Sequence, residues 1–310
     1  MTRYEKIVQT LGKMPEKVEP EIMVSEKTDF GNYFMMDVIY FVEAGERVRA
    51  YLLVPKNASA EAKVPGIVAI HQHNGIYNIG KAEPAGLCGD PSCFYGKELA
   101  ERGFAVICPD HLGFEERKPS DEELKRLGID GSLYERELFT RAICKGSTLQ
   151  AKYLSDLVVA VDVLSSFDFV DNSQIGAIGH SLGGQETLWL TFYDHRVKVG
   201  VSSCGFSTVQ AVFNHHVPHN FAMYTFGLME AGDTLALVEQ MAEDGKAFMM
   251  INGKEDYGFP LEGVYAVHKC AAGAYAQIPD KFLPVIFEGG HSFPDNIRHQ
   301  AYNFIERNLK

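Results

Sequence analysis

The chain has 310 residues, of which 46% are hydrophobic and 23% are charged, and its formal net charge is −12. This apolar content, with only 29 glycines and 13 prolines, excludes intrinsic disorder and collagen-like repeats. Because 41 acidic residues outnumber 29 basic ones, the surface should repel a phosphate backbone, and we expect no nucleic-acid partner.

The N-terminal residues, the apolar runs and the cysteines indicate the cellular compartment. The first residues mix charges with apolar side chains and show no signal-peptide core, and no run approaches 18 apolar residues. We therefore expect neither export nor a membrane partner. The six cysteines form no CxxC pair and are expected to be reduced thiols. The sequence predicts a cytoplasmic protein, and it is compatible with either a monomer or a homo-oligomer.

The predicted elements alternate along the chain. An extension over residues 1–30, expected to be helical, precedes a predicted antiparallel hairpin. Its two strands are residues 33–43 and 47–55. Further strands are predicted at 64–71, 104–109, 174–179, 197–203, 247–252 and 282–288, and helices at 94–102, 148–167, 182–193, 261–275 and 293–308. This alternation predicts one α/β domain over residues 1–310 with a mostly parallel, eight-stranded sheet and helices on both faces.

Three long segments interrupt the alternation: residues 72–92, 113–145 and 205–245. Long loops inside a domain usually serve function, so we expect lid-like insertions, with a cap at about 205–245. The alternative for the cap segment is a set of helices that only pack on the body. The residues expected to line a substrate pocket are Gln72, Asn74, His111, Phe213, His215, His216, His219 and Tyr224.

The strongest motif is Gly179-His180-Ser181-Leu182-Gly183-Gly184, at the junction of a predicted strand and helix. A strand that turns directly into a helix holds one residue in a strained conformation, and neighbouring glycines let the two backbones approach closely. The turn places Ser181 at the carboxyl end of the sheet, where ligands bind in α/β folds. Ser181 is therefore predicted to be a nucleophile.

A serine nucleophile needs a base, and the base needs an acid that orients it. His291 follows the last strand in a glycine-rich loop, where its ring can reach Ser181. Asp256 follows the preceding strand and is the predicted acid, with Glu255 and Asp280 as alternatives. The chain order Ser181, Asp256, His291 is typical of α/β-hydrolases.

Acyl transfer also requires two N–H groups directed at the oxyanion. The amide of Leu182, after the nucleophile, is one prediction. The other donor should come from the loop after residues 64–71. There we predict the amide of His73, with that of Gln72 as the neighbouring alternative.

The spacing His71-x-His73 raises the alternative of a metal site, since alternate residues of an extended segment share a face. Metal hydrolases usually add a nearby acidic ligand, but Asn74 stands at that position, so we predict no metal. Asp110 and His111, at the end of a predicted strand, are expected mainly to brace the loop.

The chain resembles α/β-hydrolases of the dienelactone-hydrolase-like and acetyl-xylan-esterase-like group, from about residue 47 to the C-terminus. The matching segments are His71 with Asn74-Gly75, residues 110–114, the motif 179–184, residues 253–260 and residues 289–293. Ser181 stands where dienelactone hydrolases proper carry cysteine, and His71-Gln72 replaces the usual His-Gly. The resemblance implies ester hydrolysis through an acyl-enzyme, without metal or organic cofactor.

The leading functional hypothesis is a serine hydrolase of small carboxylic esters, such as acetyl or other short acyl groups on sugars, so the expected partner is a small-molecule ester. A peptidase or lactonase of the same fold is one alternative. Most peptidases of this fold carry a large additional domain, for which this chain has no room. A catalytically silent binding module is the other alternative, against which Ser181, Asp256 and His291 argue.

Overall fold

The computed structural model describes residues 1–310. Its strands are β1 Met23–Val24, β2 Thr28–Asp29, β3 Tyr33–Glu43, β4 Glu46–Pro55, β5 Val64–Ile70, β6 Ala105–Pro109, β7 Val170–His180, β8 Val197–Ser203, β9 Ala247–Gly253 and β10 Phe282–Phe287. Its helices are α1 Arg3–Thr10, α2 Tyr95–Glu101, α3 Asp121–Leu127, α4 Gly131–Cys144, α5 Leu149–Ser165, α6 Leu182–Tyr193, α7 Val209–Asn214, α8 Asp233–Glu243, α9 Leu261–Ala274 and α10 Asp295–Leu309.

All ten strands form one sheet in the order β1-β3-β4-β6-β5-β7-β8-β9-β10, with β2 beside β3. The β3–β4 hairpin and the β4–β6 pair are antiparallel. From β6 to β10 every neighbouring pair is parallel. The predicted α/β-hydrolase architecture is confirmed: the eight predicted strands correspond to β3–β10, and the structure adds the two short strands β1 and β2.

The central strands lie between layers of helices. All seven residues of β5 and all seven of β9 are buried, although side chains alternate between the two faces of a strand. Burial of both faces is typical of parallel strands covered on both sides, and it explains why these segments are nearly all apolar. The parallel arrangement also brings the carboxyl ends of β5, β7, β9 and β10 to one edge of the sheet.

Two predicted segments differ from the structure. In the N-terminal extension only Arg3–Thr10 is helical, with a capping box between Thr2 and Glu5; the residues beyond it form irregular backbone and the strands β1 and β2. In the cap segment, α8 packs on α6, α9 and β9, so it belongs to the body of the fold. The predicted cap at about 205–245 is therefore shortened by α8, and the name cap is used below for residues 205–232.

A small second core lies beside the main one. It contains six buried residues, which we call the lid cluster: Phe114, Leu138, Leu149, Tyr153, Leu182 and Ala222. The members come from the insertion 113–145, from α5, from the start of α6 and from the cap, so the cluster packs the inserted segments onto the body.

None of the helices has the length and apolar character needed to span a bilayer.

Candidate active site

Ser181 lies in a sharp turn between the end of β7 and the start of α6. Its φ of 55° and ψ of −120° are strained for a residue with a side chain. A Cβ on Gly179 would lie 2.3 Å from the Gly183 backbone, and one on Gly183 would lie 2.0 Å from the carbonyl oxygen of Ile70. Only glycine fits at both positions, so the crossing of backbones that the motif predicts is present.

His291 and Asp256 form a hydrogen-bonded pair at the same edge of the sheet. The Nδ1–H of His291 donates to Oδ2 of Asp256 over 2.8 Å, and Oδ1 of Asp256 accepts from the Gly258 amide over 2.9 Å. The Asp256 side chain is fully buried, whereas 26% of the His291 side chain is exposed. Glu255 and Asp280, the alternative acids, are both exposed, and neither bonds to His291.

The electrostatics favour an ionised acid. Burial raises the pKa of Asp256, but the hydrogen bonds from His291 and from the Gly258 amide outweigh burial. The pKa of Asp256 therefore lies below its ordinary value. An ionised Asp256 holds Nδ1 of His291 protonated and leaves Nε2 as the atom that can accept a proton.

The imidazole of His291 lies beside the turn that carries Ser181. Its ring centroid is 4.8 Å from that of His180, the residue before Ser181. His180 is anchored by a 3.0 Å contact with Ser203 Oγ, and burial lowers its pKa to about 3, so it is neutral. The only hydrogen bond of the His291 ring is the one to Asp256. Hydrogen bonds between nucleophile and base often tighten only when substrate is bound.

The two segments predicted to supply oxyanion donors also lie at this edge. Leu182 is the first residue of α6, so its amide has no acceptor one turn earlier in the helix. In the loop after β5, the amides of Gln72 and His73 donate to no group of the protein. The Gln72 side chain is buried and its Nε2 donates to Glu83 over 3.0 Å, while its role in lining the pocket stays a prediction. Asn74 is exposed, with a φ of 44°.

His71 and His111 are parts of the supporting core. Both are buried, and Nε2 of His71 accepts from the His111 amide over 3.1 Å. Burial lowers the pKa of His71 to about 4. The His111 ring stacks on Tyr153 with centroids 4.5 Å apart. His111 is therefore no pocket residue, contrary to the prediction, because neighbouring rings cover it completely.

A metal site at His71 and His73 is not supported by their contacts. Nδ1 of His73 accepts from the Gly75 amide over 2.9 Å, and its Nε2 contacts Glu135 over 2.9 Å, while His71 bonds to other groups. Elsewhere, Cys204 Sγ, an Asp256 oxygen and a His291 ring nitrogen lie within 4.8 Å of one another. Burial raises the pKa of Cys204 to about 12, and its Sγ donates to the carbonyl oxygen of Ser292 over 3.5 Å.

The cap residues divide into two groups. His219 lies at the site: its Nε2 donates to the carbonyl oxygen of Gly258 over 3.0 Å, and its ring centroid is 4.5 Å from that of Phe259. Phe213 and Tyr224 instead line a mostly apolar cavity of about 600 Å³ between α4 and the cap, to which neither Ser181 nor His291 contributes.

His215 and His216 are exposed, and His215 contacts Glu262 over 3.3 Å. Tyr224 is also linked to the site, because its hydroxyl accepts from the His219 amide over 3.0 Å. The pocket roles of Phe213, His215, His216 and Tyr224 stay predictions, and the structure places Phe213, His215 and His216 on the exposed side of the cap. These three residues are exposed because α7 packs on α9 and its C-terminal end faces solvent.

Sequence reasoning missed three polar residues that connect the inserted segments to the site. Glu135 of α4 accepts hydrogen bonds from the loop after β5 and from the cap. Gln185 Oε1 accepts from Asn220 Nδ2 over 3.1 Å and so ties α6 to the cap. Gln185 follows Ser181 by one helical turn, a spacing that could have marked it. No local pattern marks Glu135 or Asn220.

Comparisons with known proteins give the family of the chain. A family model described as the prolyl oligopeptidase family matches residues 134–310, more than half of the chain. The chain is 25% identical to the Bacillus subtilis (strain 168) protein named "Putative hydrolase YtaP", and the match covers 98% of each chain.

Solved structures share the fold. A glucuronoyl esterase from Solibacter usitatus superposes with a TM-score of 0.70 at 14% identity, over 99% of this chain and 92% of that one. An acetyl xylan esterase from Paenibacillus sp. R4 gives a TM-score of 0.65 at 18% identity, again over 99% and 92%. The predicted resemblance to α/β-hydrolases is thus confirmed, and the chain belongs to the prolyl oligopeptidase family.

Proposed function

We propose that the protein is a serine hydrolase that cleaves small carboxylic esters through an acyl-enzyme. The observation that carries this proposal is the pairing of two features at one edge of the sheet. One is the strained Ser181 turn, and the other is the 2.8 Å bond between His291 and a buried Asp256. Strain and a buried carboxylate both cost stability, and they are found together where a nucleophile must be presented and activated.

The reaction follows from these positions. Ser181 Oγ attacks the ester carbonyl carbon while Nε2 of His291 takes the hydroxyl proton. Ionised Asp256 stabilises the imidazolium that forms, and the amides of Leu182 and of His73, or of its neighbour Gln72, stabilise the oxyanion. The tetrahedral intermediate collapses, and the alcohol leaves with the proton from His291. Water then attacks the acyl-enzyme by the same steps and releases the acid.

Sugar-linked acyl groups are the proposed substrate class. The solved structures of similar fold include a glucuronoyl esterase and an acetyl xylan esterase, enzymes whose names refer to sugar-derived esters. The rim of the site is also suited to a sugar, because Tyr257, next to Asp256, is 84% exposed and presents an aromatic ring. Aromatic side chains with a polar tip are common where a partly polar ligand binds.

A peptidase is the second candidate, and the family match is the observation that favours it. The same nucleophile, base and oxyanion donors serve amides and esters, so the triad geometry does not separate the two. Hydrolysis of p-nitrophenyl acetate and butyrate should therefore be compared with that of peptide p-nitroanilides. We expect turnover of the short esters. Turnover of the anilides alone would replace the ester proposal with the peptidase.

A fluorophosphonate probe tests the nucleophile directly. We expect the probe to add its mass to the peptide that contains Ser181 and to abolish ester turnover in step with labelling. Ser181→Ala should lose both the label and the turnover while retaining the melting temperature. Turnover in that variant equal to the wild type would remove Ser181 from the mechanism. No turnover of any substrate by the wild type, together with no labelling, would favour a silent binding module.

A further inference from the structure

We propose that Glu135 is a positioning residue that holds the loop of His73 so that its main-chain amide faces the oxyanion. This inference rests on the proposed function and extends it to a residue outside the triad. Glu135 lies in α4, 62 residues along the chain from His73, and its side chain is 3% exposed.

Glu135 binds three groups from two segments that border the site. Its Oε2 accepts from His73 Nε2 over 2.9 Å and from the Tyr77 hydroxyl over 2.8 Å. Its Oε1 accepts from the Phe221 amide over 2.9 Å. Both carboxylate oxygens are thus occupied. One side chain joins the loop after β5 to the cap, with α4 between them.

These contacts fix the conformation of the His73 loop. Because Glu135 can only accept, Nε2 of His73 carries the proton, and Nδ1 is then the acceptor for the Gly75 amide at 2.9 Å. The ring also packs against Phe114, with centroids 5.3 Å apart. Because both ring nitrogens of His73 are hydrogen-bonded and the ring packs on Phe114, the loop has little freedom to rotate. The hydrogen bond to Glu135 therefore sets the direction of the His73 main-chain amide.

The cost of burying this carboxylate argues for a role beyond packing. Burial raises the pKa of Glu135, but the hydrogen bonds from His73, from the Phe221 amide and from the Tyr77 hydroxyl outweigh burial. The pKa therefore lies below its ordinary value, and the group is an anion in a place that excludes water. A buried ion is often no more stable than an apolar residue of similar size, whereas it fixes the direction of its donors.

The same helix supports the other proposed oxyanion donor. Leu138 of α4 lies in the lid cluster with the side chain of Leu182, whose amide is the first donor. Glu135 and Leu138 are three residues apart, so they lie on one face of α4. That face therefore binds the His73 loop through the carboxylate and contributes Leu138 to the same small core as Leu182.

The test compares Glu135→Ala and Glu135→Gln with Glu137→Gln, a matched control on the exposed face of the same helix. We expect kcat on p-nitrophenyl acetate to fall about 100-fold in Glu135→Ala and about 10-fold in Glu135→Gln, while KM changes less than twofold. Affinity for a trifluoromethyl ketone, whose adduct with Ser181 carries an oxyanion, should fall by the same factors. Glu137→Gln should match the wild type.

A merely structural role would lower the melting temperature without changing kcat and ketone affinity together. The inference is overturned if both Glu135 variants keep wild-type kcat and ketone affinity, or if their loss appears only in KM. If Glu135→Ala does not fold, Glu135→Gln decides, because it keeps the shape and one accepting oxygen. Turnover that survives Ser181→Ala would instead overturn the proposed function, whatever the Glu135 variants show.

Discussion

The two sides of the candidate site are built in different ways. On the sheet side, Ser181, Asp256 and His291 stand on turns that directly follow β7, β9 and β10, and the approach of backbone to backbone fixes these turns. On the lid side, α4 and the cap are attached by a few polar side chains and by the six-residue lid cluster. The comparison teaches that the groups proposed to react are fixed by the fold itself, while the walls around them depend on individual side chains.

Removing one of the groups proposed to react, on the sheet side, should have the largest effect on activity. His291→Ala should lower kcat for short esters by roughly 10⁶-fold, and Asp256→Asn by roughly 10⁴-fold, because the base and its orientation are lost. His299→Ala, on an exposed part of α10, is the matched control and should keep wild-type kcat. Steady-state kinetics measure all three. A loss of less than tenfold in His291→Ala would show that another group is the base.

Adding a side chain where the two backbones cross at Gly183 should lower the stability of the protein. In Gly183→Ala the new methyl group would lie 2.0 Å from the Ile70 carbonyl oxygen, so backbone must move. We expect the free energy of unfolding to fall by about 3 kcal/mol, as in overpacked cores. Gly273→Ala is the opposite case. This glycine lies in α9 with nothing within 4 Å of the added atom, so helix propensity should raise stability by up to about 1 kcal/mol.

Urea unfolding measures both glycine variants. Equal free energies of unfolding for Gly183→Ala and the wild type would mean that the turn can open without cost. The backbone crossing would then not be what holds Ser181 in its strained conformation.

A buried acid between the two sides should make stability depend on pH. Glu186 of α6 is fully buried and accepts from Gln150 Nε2 over 2.6 Å; Gln185, which also bonds the cap, contacts its other oxygen over 3.3 Å. Burial raises its pKa from 4.5 to about 8. Between these values the folded state binds a proton that the unfolded state releases. The free energy of unfolding should therefore fall as pH rises, by up to about 1.4 kcal/mol per pH unit.

Glu186→Gln, which cannot titrate, should lose this part of the slope. Urea unfolding of the wild type and the variant at pH 5, 6, 7 and 8 measures the difference. The stabilisation that protonated Glu186 gives the folded state is fully present below the pKa of the unfolded state, and it is lost as pH rises through about 8. Parallel curves for the two proteins would show that Glu186 titrates alike in the folded and unfolded states.

The difference between the sheet side and the lid side also explains which parts of the site the sequence could predict. The turn at Ser181 is encoded within six consecutive residues, and Asp256 and His291 follow strands that their apolar runs reveal. The contact between His73 and Glu135 joins residues 62 apart, and that between Gln185 and Asn220 joins residues 35 apart. No periodicity encodes such pairs. The cap residues share an aromatic and histidine-rich composition, but which of them face the site depends on how α7 packs on α9.

The smallest effect is expected where the cap turns away from the site. Phe226 is 81% exposed and lines the apolar cavity of about 600 Å³ together with Phe213. Because neither ring reaches Ser181 or His291, Phe226→Ser should keep kcat/KM for p-nitrophenyl acetate within twofold of the wild type. His219→Ala is the informative partner from the same cap, since His219 bonds to Gly258 in the Asp256 loop, and it should lower kcat/KM by about tenfold. If Phe226→Ser lowered kcat/KM as much as His219→Ala, the cavity would have to connect with the cleft. The cap would then act as one wall of a single substrate site.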